Sequence, residues 1–363
     1  MIGALHQFVP ALEAGAVGAH TLEVQRLIRD MGLTSEIYAD FVGVGFEHLA
    51  LEYGNFASAG QERRDSALLY QMAIGSWVGV YVAARPEPLL VTYHNISPPR
   101  DFAMWDHTVE YGLSWGRRQL TELASRAIVG LAPSEFSRCE LAAVGFRDSR
   151  VAPLLVDLDA LAAAADAQVL HDLRARKAKG GADLLFVGRI APHKAQHDLV
   201  VALAAFRRLY DPLARLCLVG GPVEGPYADA VRQLIADLGL ASSVHLAGPI
   251  DDAALSAHYQ AADVYVSLSE HEGFGVPLLE AMRHGLPIVA FGAAAVPETV
   301  GDAAIVLTDK RPATVAAAVW RACSDSTLRA GLVAVGAERV KSFGLKPSRA
   351  QLRRILETVL GKL

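Results

Sequence analysis

The segment that most constrains the fold is Ala262-Asp263-Val264-Tyr265-Val266-Ser267-Leu268 and the fourteen residues after it, Ser269-Glu270-His271-Glu272-Gly273-Phe274-Gly275-Val276-Pro277-Leu278-Leu279-Glu280-Ala281-Met282. The first part is a β-branched, apolar run of the kind that forms a parallel strand buried on both faces. Gly273 and Gly275 allow a sharp bend and a close backbone approach to a ligand, and Pro277 suits the start of a helix, where no amide bond is lost. A strand, a tight turn and a helix therefore follow in order. Free amides at such a helix start, with the helix dipole, bind anions such as a diphosphate, so Gly273, Phe274, Gly275 and Val276 are candidate ligand contacts. Glu272 falls in the turn and Glu280 about one turn into the helix. Carboxylates are poor phosphate ligands but good acceptors for the hydroxyls of a sugar or a ribose.

The same alternation runs through the chain and predicts an α/β architecture with parallel sheets. Ile2 to Phe8 reads as the first strand, then Gly15 and Gly18 in a turn, then a helix from Leu22 to Met31. Further strands are expected at Leu89–Tyr93, Ala127–Gly130 and Val151–Leu155, and a second series at Leu184–Val187, Arg215–Val219, Val244–Leu246, Val264–Leu268 and Ile288–Ala290. A chain of 363 residues exceeds the ~250–300 that one core usually serves, so two domains are expected. They are placed at 1–160 and 182–340, with an interdomain linker in 156–181 and a last helix, Pro347 to Leu360, presenting Leu352, Ile355, Leu356 and Val359 on one face.

Glu272 and Glu280, eight positions apart within EGFGVPLLEAM, resemble the signature of retaining glycosyltransferases of family 4. The resemblance extends to Gly188-Arg189-Ile190-Ala191-Pro192-His193-Lys194 after the strand Leu184–Val187, and to Gly285-Leu286-Pro287-Ile288-Val289-Ala290 and Val296-Pro297-Glu298-Thr299-Val300-Gly301. It is close over roughly 184–307 and looser before that. It implies the GT-B fold, two Rossmann-like parallel-sheet domains facing a central cleft, with the acceptor side in 1–160, the nucleotide-sugar site in 182–340 and the final helix (345–363) joined to the first domain. It also implies roles: Arg189 and Lys194 neutralise the donor diphosphate, Glu272 holds a donor-sugar hydroxyl, Glu280 holds the ribose, and His94 contacts the donor sugar. Front-face transfer, with the donor phosphate helping to deprotonate the acceptor, belongs to the same resemblance.

Residue chemistry agrees with these roles. Arg189 and Lys194 directly follow a buried strand, where α/β proteins place ligands, and a guanidinium with an ammonium offsets charge on a departing diphosphate without a bound metal. His94 ends the strand Leu89–Tyr93 and opens a Pro-rich loop. Gly18 after the first strand and Gly248 after Val244–Leu246 are further ligand contacts, the latter beside the nucleobase; Gly220-Gly221-Pro222 is read equally as a plain turn. His20 is read as helix-start structure. Glu270 competes with Glu272, but the spacing favours Glu272. Two carboxylates could also serve a hydrolase, which would leave the phosphate-binding glycines without a task. Asp157-Leu158-Asp159 imitates a metal-binding DxD and is set aside because of its place at the domain boundary.

Composition limits the partners. The net charge of −5, with 12 arginines, no lysine and 17 acidic residues in 1–155, argues against nucleic acid and against a polybasic membrane face, apart from a local patch of Arg63, Arg64, Arg117 and Arg118. No run reaches the ~18 apolar residues of a membrane span, and no basic n-region precedes an apolar stretch at Met1–Gln7, so a cytoplasmic protein is expected, with peripheral contact at the inner membrane face as the variant. Cys139, Cys217 and Cys323 read as reduced core thiols.

The expected function is transfer of a hexose from a nucleotide-diphosphate sugar to an acceptor hydroxyl, in bacterial polysaccharide or glycoconjugate synthesis. GDP-mannose is the preferred donor over UDP-hexoses, from the resemblance of Tyr93-His94-Asn95-Ile96 and Ser269–Met282 to polysaccharide-type transferases. The acceptor is a glycan, a lipid-linked sugar or a small molecule, and no cofactor or metal is expected. The alternatives are a nucleotide-sugar epimerase and a non-catalytic sugar-nucleotide-binding scaffold. A dehydrogenase is disfavoured because no G-x-G-x-x-G follows the first strand.

Overall fold

The computed structural model describes residues 2–58, 65–163 and 165–363. The chain divides into two compact units: Met1–Ala103 with His107–Val156 and Gly344–Leu363, and Asp157–Phe343 with Met104–Asp106. Arg63 and Arg64, half of the anticipated basic patch, lie outside the described residues.

The first unit holds a parallel sheet of seven strands: β1 (Ala4–Leu12), β2 (Ile37–Val42), β3 (Leu51–Glu52), β4 (Ser66–Met72), β5 (Leu89–Tyr93), β6 (Ala127–Ala132) and β7 (Ser149–Val151), in the order β3-β2-β1-β4-β5-β6-β7. β1 runs four residues beyond the expected Phe8, through Pro10. The backbone N–H groups of Leu5 and Gln7 bond toward β2, so an N–H at Pro10 would point the other way, toward β4, where the β1–β4 ladder has already ended at Phe8. The missing donor is therefore not needed. The strand expected at Val151–Leu155 lies instead at Ser149–Val151, ahead of Pro153, which cannot donate to a ladder. β2, β3 and β4 were not anticipated. β2 has an exposed second half, Asp40 and Phe41, and β4 carries Ser66 and Gln71 among its apolar residues.

One face of this sheet is covered by the helices Ala16–Asp30 and Leu345–Leu360. Val24, Leu27 and Ile28 of the former and Leu352, Leu356, Val359 and Leu360 of the latter share a core with Leu5, Ala67, Leu69, Leu90 and Val129. Arg349 clamps the two helices, reaching Glu23 at 2.9 Å and also Asp30.

The second unit repeats the plan with six parallel strands: β8 (Asp183–Val187), β9 (Arg215–Val219), β10 (Val244–Gly248), β11 (Val264–Ser267), β12 (Ile288–Phe291) and β13 (Ala304–Leu307), in the order β10-β9-β8-β11-β12-β13. In each sheet the chain starts at the middle, works outward, then returns to the other side of its first strand. That reversal falls between β1 and β4 in one unit and between β8 and β11 in the other, and loops diverging at such a point leave a crevice at the carboxyl ends of the strands.

Candidate active site

In the second unit, the loop after β8 and the loop after β11 carry the anticipated residues and are tied together. Lys194 Nζ pairs with Glu272 Oε1 at 2.6 Å, both side chains largely buried, and the amide of Glu270 donates to the carbonyl of His193 at 2.7 Å. The β8 loop tightens into a 3₁₀ turn at Pro192–Lys194 and enters the helix Gln196–Leu209 through Ala195, whose φ of 52° places a non-glycine residue in the left-handed region. Such a conformation costs about 1 kcal/mol or more. It is held in place by Gln196, fully buried, whose Nε2 donates to the Arg189 carbonyl at 2.7 Å. The Arg189 guanidinium is exposed and makes no ion pair among the described residues. His193, buried beneath this loop, is pushed down to about 2 by its burial and then by Lys194, His271 and Arg189, so its imidazole is neutral.

Glu270 and Glu272 are distinguished by their partners. Glu270 shares Lys310, which also reaches Asp198 at 2.6 Å, so it fastens the β11 loop to the helix Gln196–Leu209 and to the end of β13. Glu272 faces Lys194, and its carbonyl accepts from Ala295 N at 3.1 Å. The turn then passes Phe274, whose ring is buried edge-on against Phe343 and whose carbonyl accepts from Thr299 Oγ1 at 2.5 Å. The Phe274 side chain is therefore packing, not lining. Gly275, at φ 87°, caps the helix Val276–Arg283, where Pro277 sits in the first turn. A Cβ on Gly275 would meet only the end of the Leu278 side chain, so it is the backbone angle that reserves the position for glycine.

Glu280 projects from this helix into a largely enclosed setting. Its Oε2 accepts the hydroxyl of Tyr259 at 2.7 Å, and that ring stacks on His284 at 4.8 Å between centroids. Burial pushes the Glu280 carboxyl up to about 7, with the Tyr259 hydrogen bond pulling down and Asp252 adding to the rise. Beside β8, the ends of β9 and β10 approach very closely: Gly220 N donates to Gly248 O and Gly188 N to Val219 O, and a Cβ on Gly220 would meet the Gly188 carbonyl at 2.2 Å. Gly248 itself has φ 70°.

Gly18 and His94 belong to the first unit. Gly18 lies inside the helix Ala16–Asp30, and a Cβ there would sit 2.0 Å from the Glu13 carbonyl, so the turn after β1 can close only over glycine. His20, two residues on, accepts the Leu155 amide on Nδ1 at 2.9 Å and meets the His94 ring edge-on at 5.3 Å. His94 Nε2 lies 2.8 Å from Gln71 Oε1, and burial pushes its pKa down to about 4. The following loop is fixed by Asn95, at φ 67°, whose side-chain amide donates to Ser137 Oγ at 3.1 Å and Glu140 Oε2 at 2.7 Å. Glu140 also accepts from Tyr93 OH at 3.1 Å and pairs with Arg117, which donates to the Ile96 carbonyl as well. Arg117 is thus committed to this loop and not to a basic surface patch.

Asp157 and Asp159 have structural tasks. Asp157 Oδ1 accepts from Ala160 N at 2.9 Å, at the start of the helix Leu158–Ala163, and Asp159 pairs with Arg283 at 2.7 Å. Residues that sequence reasoning did not single out are Tyr259, Lys310, Gln7, Gln71 and Glu140. The glutamines carried a readable signal, since each is a primary amide set in a largely apolar strand.

Residues 172–339 match the family described as Glycosyl transferases group 1. Over 90% of its length the chain is 27% identical to a D-inositol 3-phosphate glycosyltransferase of Geodermatophilus obscurus, covering 81% of that protein. It is 34% identical, over 42% of its length and 41% of the relative's, to a GDP-mannose-dependent alpha-(1-6)-phosphatidylinositol monomannoside mannosyltransferase of Mycobacterium tuberculosis. Its fold is shared with Anabaena Alr3699/HepE, solved in complex with UDP-glucose, at a TM-score of 0.75 and 18% identity over 98% of this chain and 99% of that one. The sucrose-phosphate synthase of Thermosynechococcus elongatus has the same fold, with a TM-score of 0.77 and 18% identity over 99% and 100%.

Proposed function

Because residues 172–339 make this chain a member of the glycosyl transferases group 1, a glycosyltransferase of the GT-B fold, we propose that it transfers a hexose from a nucleoside-diphosphate sugar to an acceptor hydroxyl with retention of configuration. The observation that carries this reading is the Lys194–Glu272 pair across the switch point of the second sheet, beside the exposed Arg189. A donor diphosphate entering there competes for Lys194 and adds Arg189. Glu272 is then released to accept a hydroxyl from the sugar, and Glu280 receives the ribose. The bond from the anomeric carbon to the phosphate oxygen breaks, the bond to the acceptor oxygen forms on the same face, and the acceptor proton passes to the leaving diphosphate. Charge growing on that diphosphate is offset by the guanidinium and the ammonium, the preorganised term that dominates many such reactions.

GDP-mannose and UDP-glucose are the two donors to offer first, since one similar protein is named for GDP-mannose and another was solved with UDP-glucose. The acceptor class is a glycan, a lipid-linked sugar or a small polyol, within bacterial polysaccharide or glycoconjugate synthesis. No helix among the described residues is long and apolar enough to cross a membrane.

The test is a thermal-shift panel of nucleoside diphosphates and their sugars, followed by proton NMR of the product anomer. Saturation at ~100 times Kd stabilises by ~2.7 kcal/mol, an easily read shift. One responding diphosphate series and an α product from an α donor support the proposal. An inverted product would overturn retention, acceptor-free interconversion of the sugar would identify an epimerase, a binding response without turnover would indicate a scaffold, and absence of any response would overturn the donor site.

A further inference from the structure

Two glutamines are buried completely in the first unit, Gln7 on β1 and Gln71 on β4. A primary amide in such a place is costly unless its donors and acceptors are met. The register aligns Gln7 with Leu69 and Gln71 with Thr92, so Gln7, Gln71 and the position just past β5, His94, fall on one face of the sheet along a diagonal. Their hydrogen bonds form a single chain. Gln7 Nε2 donates to the Thr21 carbonyl at 2.9 Å, Gln71 Nε2 donates to Gln7 Oε1 at 2.7 Å, and Gln71 Oε1 faces His94 Nε2 at 2.8 Å.

This chain has only one consistent polarity. The Thr21 carbonyl accepts and cannot donate, which obliges Gln7 to present its NH₂ there and its oxygen to Gln71. Gln71 must then turn its NH₂ to Gln7 and its oxygen to His94. An oxygen facing Nε2 requires the proton on Nε2, so the imidazole is the Nε2–H tautomer, and Nδ1 is a bare, enclosed lone pair with no hydrogen-bond partner among the described residues. A backbone carbonyl three residues removed along the chain of bonds thereby sets the protonation site of the ring.

We propose that Gln71, oriented by Gln7, is a positioning residue that locks His94 as a neutral Nε2–H imidazole, so that the ring is held fixed and is not a proton-accepting base. The inference rests on the role that the family resemblance gives His94, contact with the donor sugar. Nε2 is occupied in donating inward and Nδ1 is shut away, which leaves neither nitrogen to take a proton from the acceptor. The edge-on His20 ring, with its own Nδ1 engaged by the Leu155 amide, adds no carboxylate that would favour charging His94. The acceptor proton must then go elsewhere, consistent with its passage to the diphosphate.

The experiment is long-range ¹H–¹⁵N NMR of the histidine rings in the full chain, with donor kinetics on the same samples. In the parent protein His94 is expected as one tautomer, protonated at Nε2. Gln7→Met leaves the His94 and Gln71 side chains themselves unaltered, yet it frees the Gln71 amide to present either end, so a mixture of His94 tautomers and a donor KM raised about 10-fold are expected. Gln7→Met with Gln71→Glu should return the proton fully to Nε2, because a carboxylate can only accept, and its charge should favour a second proton on Nδ1 as well. A parent signal from Nδ1–H, or a Gln7→Met spectrum unchanged from the parent, would overturn the relay, and the parent spectrum alone decides the first point should the variants fold poorly. Tautomer mixing without any change in KM or kcat would overturn the positioning role. A fixed tautomer in a protein that binds no nucleotide sugar would overturn the donor-site reading, and with it the purpose given to the relay, while the tautomer itself would stand.

Discussion

Tyr259 donates its hydroxyl to Glu280 Oε2 across 2.7 Å from a ring that is itself wholly buried. The pair shows how the site holds an acceptor group ready at a cost in stability. Desolvation raises the Glu280 carboxyl to about 7, so the folded state binds a proton that the unfolded chain, near 4.5, has lost. The contribution to stability is therefore full below about pH 4.5 and falls away as pH rises through about 7. Glu280→Gln should remove this dependence, making the free protein more stable than the parent at pH 8 by ~1–3 kcal/mol while raising the donor KM about 10-fold. Melting curves of both proteins at pH 5 and pH 8 test it, and parallel pH dependences would refute it. Tyr259→Phe removes the bond that lowers this pKa and should move the transition to higher pH.

Removal of either cation should lower kcat by ~10²–10³, as for the loss of one preorganised charge-stabilising group. The two variants differ in stability. Arg189→Ala alters an exposed side chain with no ion pair among the described residues and should leave the melting temperature unchanged, whereas Lys194→Ala strips a largely buried Glu272 of its partner and should lower it. Parent-level turnover in either variant, measured with saturating donor, would remove that residue from its role.

Asn95 combines a left-handed backbone with two side-chain hydrogen bonds. Asn95→Ala loses both bonds and strains the backbone, for an expected cost of ~1–3 kcal/mol in urea unfolding. Asn95→Gly loses only the bonds and should fall between the parent and the alanine variant. Equal stability of all three would mean that the loop after His94 is not fixed by this residue.

Asp159 is 82% exposed where it meets Arg283. Asp159→Asn should change stability by less than ~1 kcal/mol and leave turnover at the parent value with or without added divalent metal. A collapse of activity would reinstate the DxD as a functional pair.

The strand, turn and helix around Glu272 could be read from sequence because what specifies them is local: a β-branched run, glycine at a left-handed cap, and proline in the first helical turn. The strand Leu89–Tyr93 was legible for the same reason, and its end fixed the place of His94. Pairings between distant strands were not. That Gln7 meets Gln71 follows from register across β1 and β4, and β4 itself was overlooked. The choice of Glu272 over Glu270 rested on spacing, whereas the structure separates them by partner, through a Lys310 that lies forty residues from Glu270. Tyr259 reaches Glu280 only because β11 and its preceding helix fold back on the helix Val276–Arg283.

The helix Leu345–Leu360 completes a core whose other walls are encoded within the first 156 residues. On the ribosome, the first sheet therefore waits, with the surface meant for Leu352 and Leu356 uncovered, while the whole of the second unit is made. At ~5–20 residues per second that interval is roughly 10–40 s, long enough for the second unit to fold before its predecessor is finished. Order of synthesis and order of completion are thus reversed in this protein, and neither unit can be obtained intact by a single cut in the gene.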